Sequence, residues 1–448
     1  SRRQRQMCIR DRFKLLTLAH KRITIRYTRT MARSVTFIHA ADLHLGAPFR
    51  GLRAVSPVWA DRLVKSIPDA YRKLIDETIR EQVDFLIIAG DAFDASHPSY
   101  ADFCLFRDGL ERLHDANIPV YFCTGNHDPY ARWAGEYGDL PENVHLFDPH
   151  EANYFIYEKE GESLAVLGGR SYYTQAWPQD ENIAEGISHA KAKEIAVDAT
   201  FQVGVIHSGL DIDPTRSPVK PKDLLARKMD YWALGHIHHP QLIPEDDPAI
   251  AFSGCIQGRD IHETGPHGVL KVTLRENLPT EVAFLPTAQI VWERIEVDVS
   301  ACATIADIQE AITTQQFERN ARSQCQNMLC RITLTGATPL HSALTSHVLA
   351  DLRSVINDRY PFFFIDDVVN ETRAKIDKDA IEKEGLFPAV YLSTMRAQKK
   401  DKVDGLSYLE QQFSALDLPV PKLQRRFDEA CKEAESLVFD LLSENNND

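Results

Sequence analysis

The chain has 448 residues, 44% of them apolar and 26% charged, which is enough for two or three globular domains. Its net charge of −14 excludes a broadly basic nucleic-acid coat protein, so binding to a polyanion would require a local positive patch. No apolar run approaches the 18 residues of a membrane-spanning helix, and the eight cysteines form no CxxC pair. We therefore expect a cytoplasmic protein with reduced thiols and no membrane association.

The first thirty residues differ in charge from the rest of the chain. They contain ten Lys or Arg and one acidic residue, Asp11, whereas the remainder carries a net charge of −23. An Arg-rich, acid-poor leader is typical of a transit peptide. However, the chain opens at Ser1, the first convincing start is Met31, and the segment SRRQRQMCIRDR favours translated upstream sequence. We expect residues 1–30 to be a non-native or disordered leader.

From Ser34 the chain alternates between short apolar runs and stretches of helical periodicity. Helices are predicted at residues 59–82 and 100–115, between buried strands at 35–40, 85–89 and 118–123. This β-α-β-α-β order implies parallel strands joined by right-handed crossovers. Pro68, inside the first helix, predicts a break or kink.

Later strands of the first domain are predicted to pair in a more antiparallel manner. They cover residues 154–157, 164–167, 201–206, 231–234 and 269–273. The stretch from Glu276 to Gln289 contains Pro279 and Pro286 and marks the exit from this domain, which we place at residues 31–287.

Residues 288–403 are predicted to form a smaller α+β domain. Its strands are expected at 292–299 and 328–334, and its helices at 305–317 and 340–356. Residues 404–448 predict two helices split near Pro419 and Pro421, and one of them has apolar side chains at three- and four-residue spacing. Such a face suits binding to a partner helix. The alternative, that these helices pack on their own domain, stays open.

Polar side chains capable of binding a metal recur directly after the buried strands. Because ligand sites in open α/β sheets lie just beyond the carboxyl ends of strands, five such ends suggest one convergent site. If the Asp91 carboxylate binds two ions at once, the candidate residues provide four protein ligands to each ion. The candidate ligands are Asp42, His44, Asp91, Asn126, His207, His236 and His238.

The motifs DLH, GDxxD, GNHD, a lone His after a strand, and GHIH occur in this order, and together they resemble the calcineurin-like metallophosphoesterase superfamily. The likeness covers about residues 34–275. The stretches FIHAADLHLG, SGCIQGRDIHETGPHGVL and RITLTGATPLH are most similar to the bacterial DNA-repair exonuclease group, which includes the SbcCD nuclease subunit and YhaO-like proteins. The resemblance implies an α/β fold: a four-layer α-β-β-α sandwich with a capping domain and C-terminal helices.

The resemblance also implies a role for each candidate residue. One metal ion would bind Asp42, His44, Asp91 and His238, and the second would bind Asp91, Asn126, His207 and His236. His127 would be the catalytic imidazole, which is not a ligand, and Asp94 would orient it. The mixed imidazole and oxygen ligands suit Mn, Fe or Zn, and the family implies Mn²⁺. Two such ions can activate water and stabilise the attacking and leaving oxygens of a phosphodiester.

Some of the candidate residues also have a purely structural explanation. Asp94 would otherwise cap the following turn. Arg259 would contact a substrate phosphate through its guanidinium, or else form a surface ion pair with Asp260 or Glu263. His39 lies three residues before Asp42 and faces differently on an extended strand, so we expect it to be structural.

The expected activity is metal-dependent hydrolysis of DNA, as an exonuclease in DNA repair, and the capping domain would steer DNA to the site. The resemblance names an SMC-like ATPase (of the SbcC or YhaN type) as the partner, bound through the C-terminal helices. Homodimerisation is left open. The alternative function is hydrolysis of a nucleotide or another small phosphodiester.

Overall fold

A computed structural model describes residues 33–49, 56–94, 98–133, 139–178, 180–213, 217, 219–323, 325–375, 389–391, 393–394 and 438. The predicted leader and the segment 404–448, apart from residue 438, lie outside these residues. Within the described ranges, no helix combines the length and the apolar character needed to cross a bilayer.

Two six-stranded sheets form the core of the first domain. The first sheet has the order β12-β11-β1-β2-β3-β4 and the second has the order β5-β6-β7-β8-β10-β9. The strands are β1 Ser34–Ala40, β2 Phe85–Ala89, β3 Val120–Cys123, β4 Val144–Leu146, β5 Asn153–Lys159, β6 Glu162–Gly169, β7 Phe201–His207, β8 Tyr231–Gly235, β9 Gln241–Ile243, β10 Ile250–Phe252, β11 Gly268–Arg275 and β12 Glu281–Pro286.

The two sheets pack face to face because their strands are apolar on both sides. Phe37 and Phe85 of the first sheet share one buried cluster with Val203 and Tyr231 of the second. Neighbouring side chains on the same strands, such as Ile38, point to the opposite face, as the period of two requires.

Helices cover the two outer faces. Helices α1 (Pro57–Arg80) and α2 (Tyr100–Asp115) pack on the first sheet, and α3 (Tyr130–Trp133) contributes Trp133 to the same cluster. Helices α4 (His189–Ile195) and α5 (Pro221–Leu225) lie on the second sheet, where Ala192 and Leu224 are buried. The result is an α-β-β-α sandwich, which confirms the expected fold class.

The predicted break at Pro68 is wrong, because α1 runs without interruption through this residue. A proline inside a helix removes one hydrogen bond and costs about 3 kcal/mol. Here Ile67, Tyr71 and Leu74 are at most 2% exposed and pack against the sheet, and Leu63, equally buried, packs against Trp292 of the second domain. Burial of several such side chains offsets that cost, since each contributes about 1.5–3 kcal/mol.

The prediction of mainly antiparallel pairing among the later strands is correct only in part. The pairs β5–β6 and β1–β11 are antiparallel, but β6–β7 and β7–β8 are parallel. The connections that precede β7 and β8 contain α4 and α5, and these long crossovers return each strand in the same direction. Apolar patterning alone does not distinguish the two directions.

The second domain is built on a parallel sheet of β13 (Ile290–Asp298), β14 (Asn327–Thr335) and β16 (Phe363–Asn370). Helices α6 (Ile305–Ser323) and α7 (Ser346–Arg359) bury Ile308, Ile312, Leu352 and Ile356 with these strands. The predicted helix at 340–356 is instead a 3₁₀ turn, His341–Ala343, followed by α7. Thr345 caps the N-terminus of α7. A short pair, β15 (Ala337–Thr338) and β17 (Arg373–Ala374), completes the domain.

Candidate metal centre

The predicted ligands lie where parallel strands end. Asp42 and His44 follow β1, Asp91 follows β2, Asn126 follows β3, His207 ends β7, and the GHIH segment follows β8. Four of these residues have left-handed backbone angles, which cost non-glycine residues free energy and cluster at functional sites. They are Asp42 (φ 50°), His44 (φ 46°), Asp91 (φ 52°) and His236 (φ 99°).

One group of side chains gathers around His44 and His238. Their Nε2 atoms are only 3.2 Å apart, so both imidazoles point at the same position. One carboxylate oxygen of Asp42 lies 3.9 Å from His238 Nε2, and one of Asp91 lies 4.0 Å from His44 Nε2. These are four ligands proposed for the first ion, and ligand atoms of Asp42, His44 and His238 lie within 4.8 Å of one another.

A second group surrounds His207. Its Nε2 lies 3.3 Å from Asp91 Oδ2 and 3.2 Å from Asn126 Oδ1. Because Asp91 Oδ2 also faces His44, this carboxylate lies between the two groups, where a bridging ligand belongs. His236 lies beside the second group, with its ring centroid 5.3 Å from that of His207. Its Nε2 contacts Asp213 Oδ2 at 3.0 Å, which leaves Nδ1 for an ion.

The outward nitrogen of each histidine faces an oxygen. His207 Nδ1 lies 2.9 Å from the carbonyl oxygen of Ala89, and His238 Nδ1 lies 2.6 Å from Glu263 Oε1. Metal-binding imidazoles in proteins are held in this way, since the outward contact fixes the tautomer that offers the other nitrogen to the ion. His44 Nδ1 lies 3.6 Å from Asp94 Oδ1, which is too far for such a hydrogen bond.

The charge of the site also fits a pair of cations. Asp42 and Asp91 are at most 1% exposed, and buried carboxylates need positive partners. Burial acts to lower the pKa of His207, but the charges of Asp91 and Asp42 outweigh it and raise that pKa to about 9. The donor set and its negative field therefore fit divalent ions that accept nitrogen and oxygen ligands.

The glycines of the motifs allow this close packing. A Cβ on Gly90 would lie 2.2 Å from His207 Nδ1, and one on Gly125 would lie 2.1 Å from Asp91 Oδ1. A Cβ on Gly235 would lie 2.0 Å from the Ala89 carbonyl oxygen. The close approach of the ligands thus requires the glycine of each GD, GN and GH pair.

Asp128 orders the loops that carry the ligands. Its buried carboxylate accepts hydrogen bonds from the backbone N–H groups of Asp91 (3.2 Å), Ala92 (2.9 Å) and Gly125 (2.8 Å). Two strand ends, those of β2 and β3, are joined through this one side chain. The final Asp of GNHD therefore has a structural role in these loops.

His127 lies at the edge of the cluster and is one-third exposed at its side chain. Its ring centroid is 4.9 Å from that of His44, and its Nδ1 is 3.5 Å from Asp94 Oδ1. Burial acts to lower the pKa of His127, but Asp94 and the charge of Asp91 outweigh it and raise the pKa. The structure thus brings His127 and Asp94 together in a geometry that favours an imidazolium.

Arg259 is already engaged by protein groups. Its Nη2 lies 2.9 Å from Glu263 Oε1, and its Nη1 lies 3.8 Å from Asp94. The ion pair that the sequence offered as the alternative to phosphate binding is therefore formed, with Glu263 and not with Asp260. The guanidinium still lies near the metal ligands, since Nη2 is 3.1 Å from His238 Nδ1.

Two carboxylates of the site, Glu263 and Asp213, were not predicted as site residues. Both contact the outward nitrogen of a GHIH histidine, but they lie in loops at no fixed spacing from that motif. His39 is not in the cluster: its two ring nitrogens contact the Tyr231 hydroxyl and the Leu234 carbonyl oxygen.

Two family models match parts of this chain. The calcineurin-like phosphoesterase family model matches residues 35–240, and the model for the middle domain of metallophosphoesterase YhaO matches residues 292–373. The uncharacterized metallophosphoesterase YhaO of Bacillus subtilis (strain 168) is 33% identical over 320 residues, which cover 69% of this chain and 74% of that protein.

More distant relatives include archaeal proteins named DNA double-strand break repair protein Mre11. The Archaeoglobus fulgidus protein is 25% identical over 51% of this chain and 51% of its own length. The Saccharolobus solfataricus protein is 28% identical over 49% of this chain and 54% of its own length, so the chain spans about half of each. A solved dimetal phosphatase from Danio rerio covers 56% of this chain and 98% of its own, with 13% identity and a TM-score of 0.34.

Proposed function

The chain belongs to the calcineurin-like metallophosphoesterase family, and we propose that it is a two-metal phosphodiesterase that hydrolyses DNA as an exonuclease in DNA repair. The observation that carries the proposal is the convergence of the ligands around Asp91, with the His127–Asp94 pair beside them. Seven side chains from five strand ends meet there. A phosphodiester carries negative charge, so two cations held by these side chains would attract it.

Each residue of the site has a distinct task. When bound, two divalent ions, for which we propose Mn²⁺, would polarise the phosphodiester and lower the pKa of the attacking water. His127 donates a proton to the leaving oxygen, or a hydrogen bond to the developing charge on it. Asp94 holds His127 through Nδ1 and so directs Nε2 towards the substrate. Asp128 keeps the two loops that carry Asp91 and Asn126 in register.

The choice of DNA over a small ester rests on what adjoins the site. A cavity of about 500 Å³ begins at Asp94 and Arg259 and continues to Trp292, Arg331 and Asp366 of the second domain. A substrate long enough to extend from the metals into this cavity would contact both domains. The relatives named Mre11 are DNA double-strand break repair proteins, and the family resemblance supports the same substrate class here.

An assay with alternative substrates tests this choice. End-labelled linear duplex, single-stranded DNA and bis-p-nitrophenyl phosphate would be incubated with the full chain and with Mn²⁺, Mg²⁺ or Zn²⁺. We expect shortening of DNA from its ends, fastest with Mn²⁺. Hydrolysis of the small ester or of nucleotides, with no cleavage of either DNA, would contradict the substrate class and favour a phosphoesterase of small molecules.

Asp94→Asn should reduce hydrolysis roughly 10-fold, because a neutral amide of similar size no longer stabilises the His127 imidazolium; losses of 10–100-fold are usual for such supporting residues. The rate at saturating Mn²⁺ and the bound metal content should be measured together. Asp108→Asn, which changes an exposed carboxylate of helix α2, is the control and should keep the full rate. An unchanged rate for Asp94→Asn would remove Asp94 from the mechanism.

We also propose that an SMC-like ATPase binds through residues 404–448. The support is the apolar periodicity of that segment and the family resemblance. A chain that lacks 404–448 should lose binding to the co-encoded ATPase in a pull-down assay, yet still hydrolyse bis-p-nitrophenyl phosphate. Retention of binding by the truncated chain would contradict the proposal, and loss of folding would assign the segment to the domain core.

A further inference from the structure

We propose that Glu263 is a positioning residue of the metal centre: it fixes His238 in the tautomer that presents Nε2 to an ion. The inference rests on the proposed metal site and not on the identity of the substrate. It adds a residue to which neither the motifs nor the comparisons give a role.

The first support is the geometry of His238. Its Nδ1 lies 2.6 Å from Glu263 Oε1, and its Nε2 lies 3.2 Å from His44 Nε2. A carboxylate accepts hydrogen bonds and cannot donate one, and Glu263 Oε1 is closer to Nδ1 than the donor Arg259 Nη2, which lies at 3.1 Å. The proton of a neutral His238 therefore belongs on Nδ1. The lone pair is then on Nε2, on the side of Asp42 and His44, where an ion would be held.

The second support is that Glu263 is itself held from several directions. Its Oε2 accepts a hydrogen bond from the backbone N–H of Arg259 at 2.7 Å, and its Oε1 contacts Arg259 Nη2 at 2.9 Å. Only 9% of the residue is exposed. The backbone and the guanidinium thus both restrain the carboxylate in addition to its contact with His238.

The third support is the attachment of the loop that carries Glu263 to the second domain. Trp292 Nε1 donates a hydrogen bond to the Gly258 carbonyl oxygen at 2.8 Å, and the Gly265 N–H donates one to the Trp292 carbonyl oxygen at 2.9 Å. The Gln257 side chain donates to the Ile290 carbonyl oxygen at 2.7 Å. Contacts before and after Glu263 thus join its loop to β13. The second domain therefore helps to hold the carboxylate that contacts His238.

Another role for Glu263 would be to hold Arg259 alone. The two roles predict different consequences for metal binding, since Arg259 is a cation and not a ligand. If Glu263 acts through His238, its loss should weaken metal binding, and the effect should disappear once His238 is removed. If it serves only Arg259, metal binding should not change.

The test is a double-mutant cycle on metal affinity in the full chain. Mn²⁺ binding to the metal-free protein would be measured by isothermal titration calorimetry and by electron paramagnetic resonance for Glu263→Gln, Glu263→Ala, His238→Ala and the double variant His238→Ala/Glu263→Ala. We expect Glu263→Ala to weaken the affinity of one ion about 10–100-fold, the usual effect of losing such a contact. Glu263→Gln keeps an acceptor for Nδ1–H and should lose less.

The controls separate positioning from folding. Asp260→Asn alters an exposed carboxylate of the same loop and should leave Mn²⁺ affinity unchanged. In the His238→Ala background, Glu263→Ala should change the affinity by less than about twofold, because the two residues act as one unit. Equal losses with and without His238 would overturn the proposal, and so would unchanged Mn²⁺ affinity in Glu263→Ala. Failure of DNA hydrolysis with normal metal binding would count against the proposed substrate alone.

Discussion

Replacing Asp91 with Asn should abolish hydrolysis and remove more metal than the loss of any terminal ligand. One oxygen of Asp91 lies 3.3 Å from His207 Nε2 and 4.0 Å from His44 Nε2, so the carboxylate faces both ligand groups. A bridging carboxylate binds both ions, so removing its charge weakens the binding of both. The metal content after dialysis and the rate with bis-p-nitrophenyl phosphate would both be measured.

His44→Ala is the control for this substitution. It removes a terminal ligand of one group, so the protein should keep more metal than Asp91→Asn does. Asn is similar in size to Asp, and the backbone N–H of His127, which donates to Asp91 Oδ1 at 2.8 Å, can still find an acceptor there. A loss of activity in Asp91→Asn would therefore not come from a broken loop contact, and full activity would refute the two-metal assignment.

Replacing His127 with Ala should leave both ions bound and still lower the rate about 10²–10⁴-fold, the usual contribution of a general acid or base. The imidazole lies beside Asp94 and His44, at the partly exposed edge of the cluster. This is the position from which a proton can reach the leaving oxygen.

Metal content distinguishes this role from that of a ligand. In His127→Ala it should equal that of the wild-type protein, measured on the samples used for the rates. His347→Ala, which changes an imidazole 86% exposed on the second domain, is the control and should keep both the rate and the metal. If metal content fell in parallel with the rate for His127→Ala, His127 would be a ligand and its assigned role would be wrong.

The sequence predicts the strand ends well, because the ligands follow short apolar runs whose length is typical of buried strands. Asp42, Asp91 and His207 are found at the ends of β1, β2 and β7, as the patterning indicates. The direction of pairing in the second sheet could not be predicted from apolar patterning, since strands buried on both faces occur in parallel sheets and in sandwich cores alike. The continuity of α1 through Pro68 likewise depends on tertiary burial, which local propensity does not include.

The supporting contacts of the site were beyond sequence reasoning for a similar physical reason. Glu263 is 25 residues from His238, and Asp213 is 23 residues from His236, so only the folded loops bring them together. The outward contact of His207 is a backbone carbonyl oxygen, which no residue type signals. For Arg259, the residue type alone suggests phosphate binding, whereas the fold places its guanidinium against the carboxylate of Glu263.

The two-metal centre can be tested by anomalous diffraction at the manganese absorption edge from crystals of the full chain grown with Mn²⁺. We expect two anomalous peaks. One should lie among Asp42, His44 and His238, the other among Asn126, His207 and His236, with Asp91 contacting both. A single peak, or peaks away from these side chains, would contradict a two-metal centre.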